Sequence, residues 1–543
     1  MSFSFLCVRL DLRALKQTAR RFPAGRLVEP VCSQKPARQP PLVLVVVVTV
    51  VFETVMTDTL AYKARKAMKV GWESANIIPF LRRARELPDR WIKRKGMSGR
   101  QYMTVERKKK TQIVIIGGGA GGLELVKRLG ARYGRREHDI ILVERNRTHV
   151  WKPLLHEVAA GSLDANMDEV GYREHCARWG YRFFFGTFEG VDRKRREVII
   201  APLEDDDGTV LIEQHRIRYD YLVIAVGSIT NDFGTPGAQQ HCMMLDSRHD
   251  ADRFRNRLLN HCLRVSRAMI AEPGRPQQVR IAIIGAGATG VELAAELYNA
   301  AAGLGFYGLE VFDETSLKVI LIEAASRILP ALRDRLAESA THELEKLGVS
   351  VRANTPVAAV EANAVVTRSG ERIEADIIVW AAGVKGAEML TRLDGLEVSR
   401  SNQLVVRPTL QTTSDDRIFA MGDCCFLHLP GRERPIPPRA QAASQMAVTV
   451  AENLTHLMKA EPLTDFVYRD RGSLVSLSRY SALGNLMGNL VGGQMAVEGF
   501  MARMIYQSLY RMHLLAIHGW LKGIALILVG TVNRVVRPKL KLH

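Results

Sequence analysis

The stretch TQIVIIGGGAGGLELVKRL, Thr111 to Leu129, decides the fold. The β-branched run Ile113 to Ile116 reads as a strand buried on both faces, and the residues after the glycines read as a helix. Between them Gly117, Gly119 and Gly122 make GxGxxG. The first glycine permits the tight turn, the second lets a pyrophosphate approach the backbone, and the third lets the helix pack on the strand. Together with Gly118, Ala120 and Gly121 they form a turn poor in side chains, at the positive end of a helix, which suits phosphate. Glu144 ends the next strand, DIILVE, where a carboxylate can accept both hydroxyls of an adenosine ribose.

A second copy, VRIAIIGAGATGVELAAEL, begins at Val279 and carries Gly285, Gly287 and Gly290. Its next strand, LKVILIE, ends at Glu323, delayed by a glycine-containing elaboration between Asn299 and Lys318. Glu323 repels a 2′-phosphate and the Ala-Ala-Ser that follows offers no cation, so NADH is expected over NADPH, with Arg327 the nearest residue able to reverse that preference. Two copies in a chain of alternating strands and helices imply an α/β fold with two Rossmann-like dinucleotide-binding domains, one inserted in the other. The expected boundaries are 111–245 and 391–450 for the first domain and 246–390 for the second.

Outward from this centre, charge is uneven. Residues 1–110 carry 24 Lys/Arg against 8 Asp/Glu, residues 111–500 carry 45 against 49, and residues 501–543 carry 7 against none, for a net charge of +19. A slightly acidic body with basic ends argues against a duplex held by its phosphates, so no nucleic-acid partner is expected, and an anionic membrane surface fits better. The 7 cysteines show no CxxC or zinc spacing, which implies no metal and a reduced, cytosolic-facing protein with Cys424 and Cys425 as buried thiols.

The 1–110 extension holds an apolar run, Leu42 to Phe52, too short for the roughly 20 residues of a spanning helix. It reads as a targeting extension, a membrane-contacting arm, or leader sequence upstream of a start at Met103, the last being preferred. At the other end, 451–543 is expected to be a membrane-associated region. Met501, Ile505, Leu509, Met512, Ala516 and Trp520 form one helical stripe, followed by GIALILVG, Gly523 to Gly530, and a basic tail ending RPKLKLH. An apolar face with a basic flank describes helices lying in the interface of an anionic membrane.

Three further segments extend the pattern. TTSDDRIFAMGD, Thr412 to Asp423, reads as a turn, a short strand and a Gly-Asp that returns to the first domain, bringing Asp423 to a flavin's ribityl chain. YDYLVIAVGS (Tyr219 to Ser228) and ADIIVWAAGV (Ala375 to Val384, with Gly383) are paired strand-then-glycine crossovers, one per nucleotide domain. From Gln112 to Gln445 the chain thus resembles the two-dinucleotide-domain flavoprotein oxidoreductases. The disulfide reductases of that group keep a CxxxxC or CxxC beside the flavin, which is missing here. WKPLLHEVA (Trp151 to Ala159), AQAASQ (Ala440 to Gln445) and RGSLVSLSRYSALGNLMG (Arg471 to Gly488) instead resemble the type II NADH:quinone oxidoreductases, in their proteobacterial branch. The 1–110 extension lies outside the resemblance.

The resemblance implies FAD as the bound cofactor, NADH as substrate and a membrane quinone as acceptor. It implies FAD contacts at Gly117, Gly118, Gly119, Ala120, Gly121, Gly122, Glu144, Lys152, Asp423, Ala440 and Gln441, and NADH contacts at Gly285, Gly287, Gly290, Glu292, Glu323 and Gly383. Gln441 turns toward the flavin, Gln445 toward the quinone headgroup, and Glu292 stands at the nicotinamide and flavin, able to relay a proton. Lys152 is expected beside the flavin ring. The function expected is two-electron transfer from NADH through FAD to quinone without proton pumping, since no spanning bundle with internal carboxylates is apparent. Such a protein would be monotopic on the cytoplasmic face of the inner membrane, and a homodimer is compatible with it. Rival readings are a soluble NAD(P)H oxidase or diaphorase, an NADH-sensing flavoprotein, and, least favoured, a sulfide:quinone reductase using Cys424 and Cys425.

Overall fold

The computed structural model describes residues 110–536, except 206, 273–276, 305–311, 313, 478–480 and 489–492. The apolar run at Leu42–Phe52, the Met103 start, residues 305–311 and 313 of the elaboration after Asn299 and the RPKLKLH tail lie outside the described residues.

The first glycine motif sits at the centre of a six-stranded sheet. Its strand order is Gln411–Thr412, Asp415–Ala420, Tyr221–Ile224, Gln112–Ile116, Asp139–Glu144 and Arg182–Phe185. Gln112–Ile116 runs parallel to both neighbours, with Val114 opposite Leu222 on one side and Ile141 on the other. Ile113, Val114 and Ile115 are fully buried, as expected where helices cover both faces of a parallel sheet. The late strand Asp415–Ala420 pairs in parallel with Tyr221–Ile224, so the chain does return to the first sheet after some 190 residues, as the Thr412–Asp423 segment suggests.

The second motif lies in a four-stranded parallel sheet ordered Ser350–Arg352, Leu317–Ile322, Val279–Ile284 and Ile377–Trp380. The two nucleotide units are joined by an antiparallel pair, Ser228–Thr230 with Val384–Gly386, formed by the two glycine crossovers. The helix Ala440–Lys459 lies along the first glycine helix, Ala120–Glu137. It does so closely: a methyl at Gly121 would stand 2.9 Å from the Ala443 carbonyl oxygen, and Ser444 donates to Glu124, which also holds Arg128.

Beyond this helix an antiparallel meander, Gly472–Leu477, Ser481–Gly488 and Gly493–Glu498, leads into two helices, Gly499–His518 and Trp520–Val536. The apolar stripe is therefore divided: Gly519, at φ 78°, ends the first helix, Trp520 opens the second, and GIALILVG is the interior of that second helix rather than a separate run. Leu514 and Ile517 pack into the core beside Tyr510, while Leu509, Met512, Trp520, Leu521, Ile524, Leu528 and Val529 stay exposed, Leu521 at 82%. No helix among the described residues is long and apolar enough to cross a membrane.

Candidate functional site

The two glycine motifs are superposable in their local logic. Gly117 and Gly285 both take the left-handed region, φ 98° and 101°, and each lies against the neighbouring crossover, at Ala225 and at Ala382. A methyl at Gly122 would come within 1.9 Å of the Gly117 oxygen, and one at Gly290 within 2.0 Å of the Gly285 oxygen. Gly119 and Gly287 face open space, with nothing within 4 Å of a methyl. Each motif thus has a closed turn, a closed helix contact and one open face where a phosphate can reach the backbone. Ala120 and Ala288 begin the two helices whose positive ends complete the cradles.

The strand-end carboxylates are also alike. Glu144 Oε2 accepts from the Gly118 amide at 2.7 Å and its Oε1 from the Asn146 amide at 3.0 Å. Glu323 Oε2 accepts from Ala286 at 2.8 Å and its Oε1 from Ala325 at 2.9 Å. A carboxylate has about four lone-pair directions, so each keeps capacity for ribose hydroxyls while its position is fixed by the turn it serves. Arg327, the cation nearest to Glu323 along the sequence on its C-terminal side, is tied to the Leu332 carbonyl at 2.9 Å and to Asp334 at 3.1 Å.

Asp423 follows the returning strand into a 3-10 turn, Gly422–Cys424, and meets the first crossover: Ser228 Oγ donates to its Oδ2 at 3.0 Å. Lys152 Nζ donates to the Ser228 carbonyl at 3.0 Å and lies 3.6 Å from Asp246. Burial pushes the Asp423 carboxyl up, and the Lys152 charge opposes it. Lys152, Ser228 and Asp423 therefore form one polar group beside the first cradle. Gly383, also left-handed, packs under the Phe233 ring at the second crossover.

Gln441 and Gln445 lie on the helix that packs on the first glycine helix, with Ala440 as its first residue. Both carboxamides grip the strand entering the meander. Gln441 Nε2 donates to the Gly472 carbonyl at 2.9 Å and its Oε1 accepts from Arg471 at 3.1 Å. Gln445 makes the same two-pronged contact with the backbone of Arg469, at 2.9 and 3.0 Å. The pair thus fixes the segment that leads to the C-terminal helices.

Glu292 is the chemically distinctive residue. It is buried on the second glycine helix, accepts from the Ser476 amide at 3.0 Å, and has His156 Nδ1 3.5 Å from its other oxygen. Burial raises its carboxyl to about 8, with Glu157 and Glu296 adding to the rise and the Ser476 bond opposing it. Burial lowers His156 to about 4. Both shifts favour the uncharged forms, a protonated acid beside a neutral imidazole, and the Tyr506 phenol of the C-terminal helix stands against Glu292. His156, Ser476 and Tyr506 were not singled out by sequence reasoning. His156 and Ser476 lie within the quoted segments WKPLLHEVA and RGSLVSLSRYSALGNLMG, whereas nothing local marks Tyr506.

Cys424 and Cys425 are buried free thiols pushed upward, Cys424 to about 11, so they offer no thiolate for disulfide or sulfide chemistry.

A paired-cradle α/β fold of this kind defines a pyridine-nucleotide flavoprotein, and residues 111–447 match the pyridine nucleotide-disulphide oxidoreductase family. FAD is the cofactor and NADH the substrate, for which the two cradles and their carboxylates are suited. More narrowly, the chain belongs to the type II NADH:quinone oxidoreductases. It is 46% identical over 442 residues to the type II NADH:quinone oxidoreductase of Haemophilus influenzae, covering 79% of this chain and 99% of that one. It is 29% identical over 419 residues to the Staphylococcus aureus enzyme of the same name, covering 74% and 95%. The fold is shared with the NDH2 of Plasmodium falciparum in complex with NADH, at TM-score 0.66, 16% identity and coverage of 80% and 100%. It is also shared with the sulfide:quinone oxidoreductase of Aquifex aeolicus, at TM-score 0.57, 18% identity and coverage of 78% and 95%.

Proposed function

We propose that the protein oxidises NADH and delivers the electrons to a quinone held at a membrane surface, without moving protons across that membrane. The observation that carries this reading is Glu292: a buried, protonated carboxyl where the second glycine helix, the meander strand Gly472–Leu477 and the C-terminal helix meet. Bound flavin supplies the two-electron chemistry between nicotinamide and quinone.

The chain's own residues supply position and protons. Gly285, Gly287 and Gly290 admit the NADH pyrophosphate, and Glu323 holds its adenosine ribose and rejects a 2′-phosphate. Gly117, Gly118, Gly119, Gly121 and Gly122 with Glu144 do the same for the tightly held dinucleotide, and Asp423 with Ser228 and Lys152 orients its flavin end. Gln441 and Gln445 fix the Arg469–Gly472 segment, which aligns the quinone path with the C-terminal helices. Quinone reduction consumes two protons, and Glu292 holds one at neutral pH, with His156 and Tyr506 beside it. The exposed face of Leu509, Met512, Trp520, Leu521 and Ile524 enters the lipid interface on the cytoplasmic side. Purified enzyme in liposomes containing a quinone and an internal pH dye tests this: NADH oxidation without any change of internal pH is expected, and internal acidification or quinone-independent turnover overturns the reading.

A further inference from the structure

One helix outside the two nucleotide cradles carries charge that nothing in the fold uses. Arg248–Ala271 contains six arginines, of which Arg248 pairs with Glu169 and Asp252, and Arg255 with Asp252. Arg253, Arg257 and Arg264 form no ion pair or hydrogen bond among the described residues. These three, with Asn256, Asn260 and His261 on the same face, line a cavity of 430 Å³. Met243 forms its remaining wall, and it is bridged to Val379 on the edge strand of the second sheet. The cavity thus opens beside the sheet edge. Among the described residues no acidic side chain lines it; Asp376 nearby is engaged by Arg280, whose amide donates to it at 2.8 Å.

We propose that this cavity is a binding site for a small organic polyphosphate of nucleoside-triphosphate size, separate from both dinucleotide cradles. Three guanidiniums gathered around one concavity repel each other, and an anion relieves that repulsion while accepting forked hydrogen bonds, as guanidinium groups make with phosphate. Spacing selects the ligand. Arg253 and Arg264 are separated by roughly 16 Å along the helix axis at 1.5 Å per residue, too far for one phosphate to join, with Arg257 between them. A run of two or three phosphates can engage all three, leaving the Asn256 and Asn260 carboxamides for the hydroxyls or base edge of a nucleoside. The cavity, open to solvent along the helix face, has the volume of a small-molecule site.

The test uses the detergent-solubilised holoenzyme with NAD⁺ saturating, so that binding in the NADH cradle is excluded. Calorimetric titration with tripolyphosphate and with ATP is expected to give saturable binding near one per chain that weakens as salt rises. The paired substitution Arg257→Glu and Arg264→Glu is expected to weaken both ligands at least tenfold while NADH oxidation stays at the level of the unmodified protein, showing that the fold is intact. Tighter binding of ATP than tripolyphosphate assigns a role to the carboxamides; equal binding assigns the affinity to the arginines alone, and either supports the site. Absence of saturable binding by both ligands, or undiminished binding by the charge-reversed protein, overturns the proposal. So does an arginine-dependent interaction confined to anionic vesicles.

Discussion

His149 and His513 face each other with their Nε2 atoms 3.0 Å apart, joining the first nucleotide domain to the C-terminal helix Gly499–His518. One ring must donate and the other accept, so the accepting imidazole must be neutral and the pair cannot both be protonated. Around it His175 bonds the Ile517 carbonyl at 2.9 Å and Lys127 bonds that of Ala516. The Trp151 ring lies 3.8 Å from that of His513. Tyr172, beside His149, donates to the Gly118 carbonyl at 2.8 Å. The helix that bears the exposed apolar face is therefore anchored within one side chain of the first phosphate cradle.

This anchor makes docking sensitive to acid. Burial lowers His149, His175 and His518 to about 4 and His513 further, with the neighbouring cations and imidazoles adding to the effect. For a histidine depressed in the folded state the stabilisation is complete above about 6.5 and is lost as pH falls toward 4. Melting of the C-terminal region, followed by hydrogen exchange of residues 505–518, is expected to fall by about 5 °C or more between pH 7.5 and 5.5. His513→Asn is expected to flatten that dependence.

Glu292 carries the opposite sign. Its carboxyl is raised to about 8, so the proton is present at pH 7 and is lost as pH rises through 8. Quinone reduction, measured by flavin reoxidation in stopped flow, is expected to slow across that range. Glu292→Gln is expected to slow it by roughly 10²-fold and to abolish the pH step. Tyr506→Phe is expected to lower the same rate while the melting temperature holds, because Glu292 keeps its bond from the Ser476 amide when the phenol is removed.

The glycines separate folding from cofactor retention. Gly122→Ala forces a methyl to within 1.9 Å of the Gly117 oxygen and is expected to cost roughly 1–3 kcal/mol of stability. Gly119→Ala meets nothing within 4 Å of the protein, so it is expected to leave the unfolding of the flavin-free protein unchanged while lowering the flavin content of purified protein. Absorbance at the flavin band, ratioed to protein, distinguishes the two.

The proposed function assigns the choice of NADH to Glu323. Glu323→Ser is expected to raise kcat/KM for NADPH relative to NADH by about tenfold. Arg327→Ala is expected to leave the ratio unchanged, since its guanidinium is held by Leu332 and Asp334. Steady-state assays with both nucleotides check the pair.

Much of the nucleotide-binding architecture is legible in the sequence because its requirements are local. A β-branched run, three glycines at fixed offsets and a strand-end carboxylate are set by backbone geometry within a few residues, and the structure repeats them at Gly117–Glu144 and at Gly285–Glu323. The return of Asp423 is legible for the same reason, through the short strand before it. What surrounds Glu292 is not, because His156, Ser476 and Tyr506 meet it from elements 136 to 214 residues away in the chain. The C-terminal stripe was readable as apolar, but its division at Gly519 depends on a left-handed turn packed against Trp179.

The exposed apolar face offers a direct handle on location. Trp520→Ser with Leu521→Ser removes two large side chains that touch little of the protein, so the melting temperature is expected to hold while co-sedimentation with anionic liposomes falls by at least tenfold.

The central claim, that electrons pass from NADH to quinone through this chain, is met most directly by one anaerobic experiment on the detergent-solubilised holoenzyme. NADH is added until the flavin absorbance bleaches, and a short-chain quinone is then mixed in. Rapid bleaching by NADH and full return of absorbance with quinone is the result predicted. Bleaching that quinone fails to reverse would contradict the account.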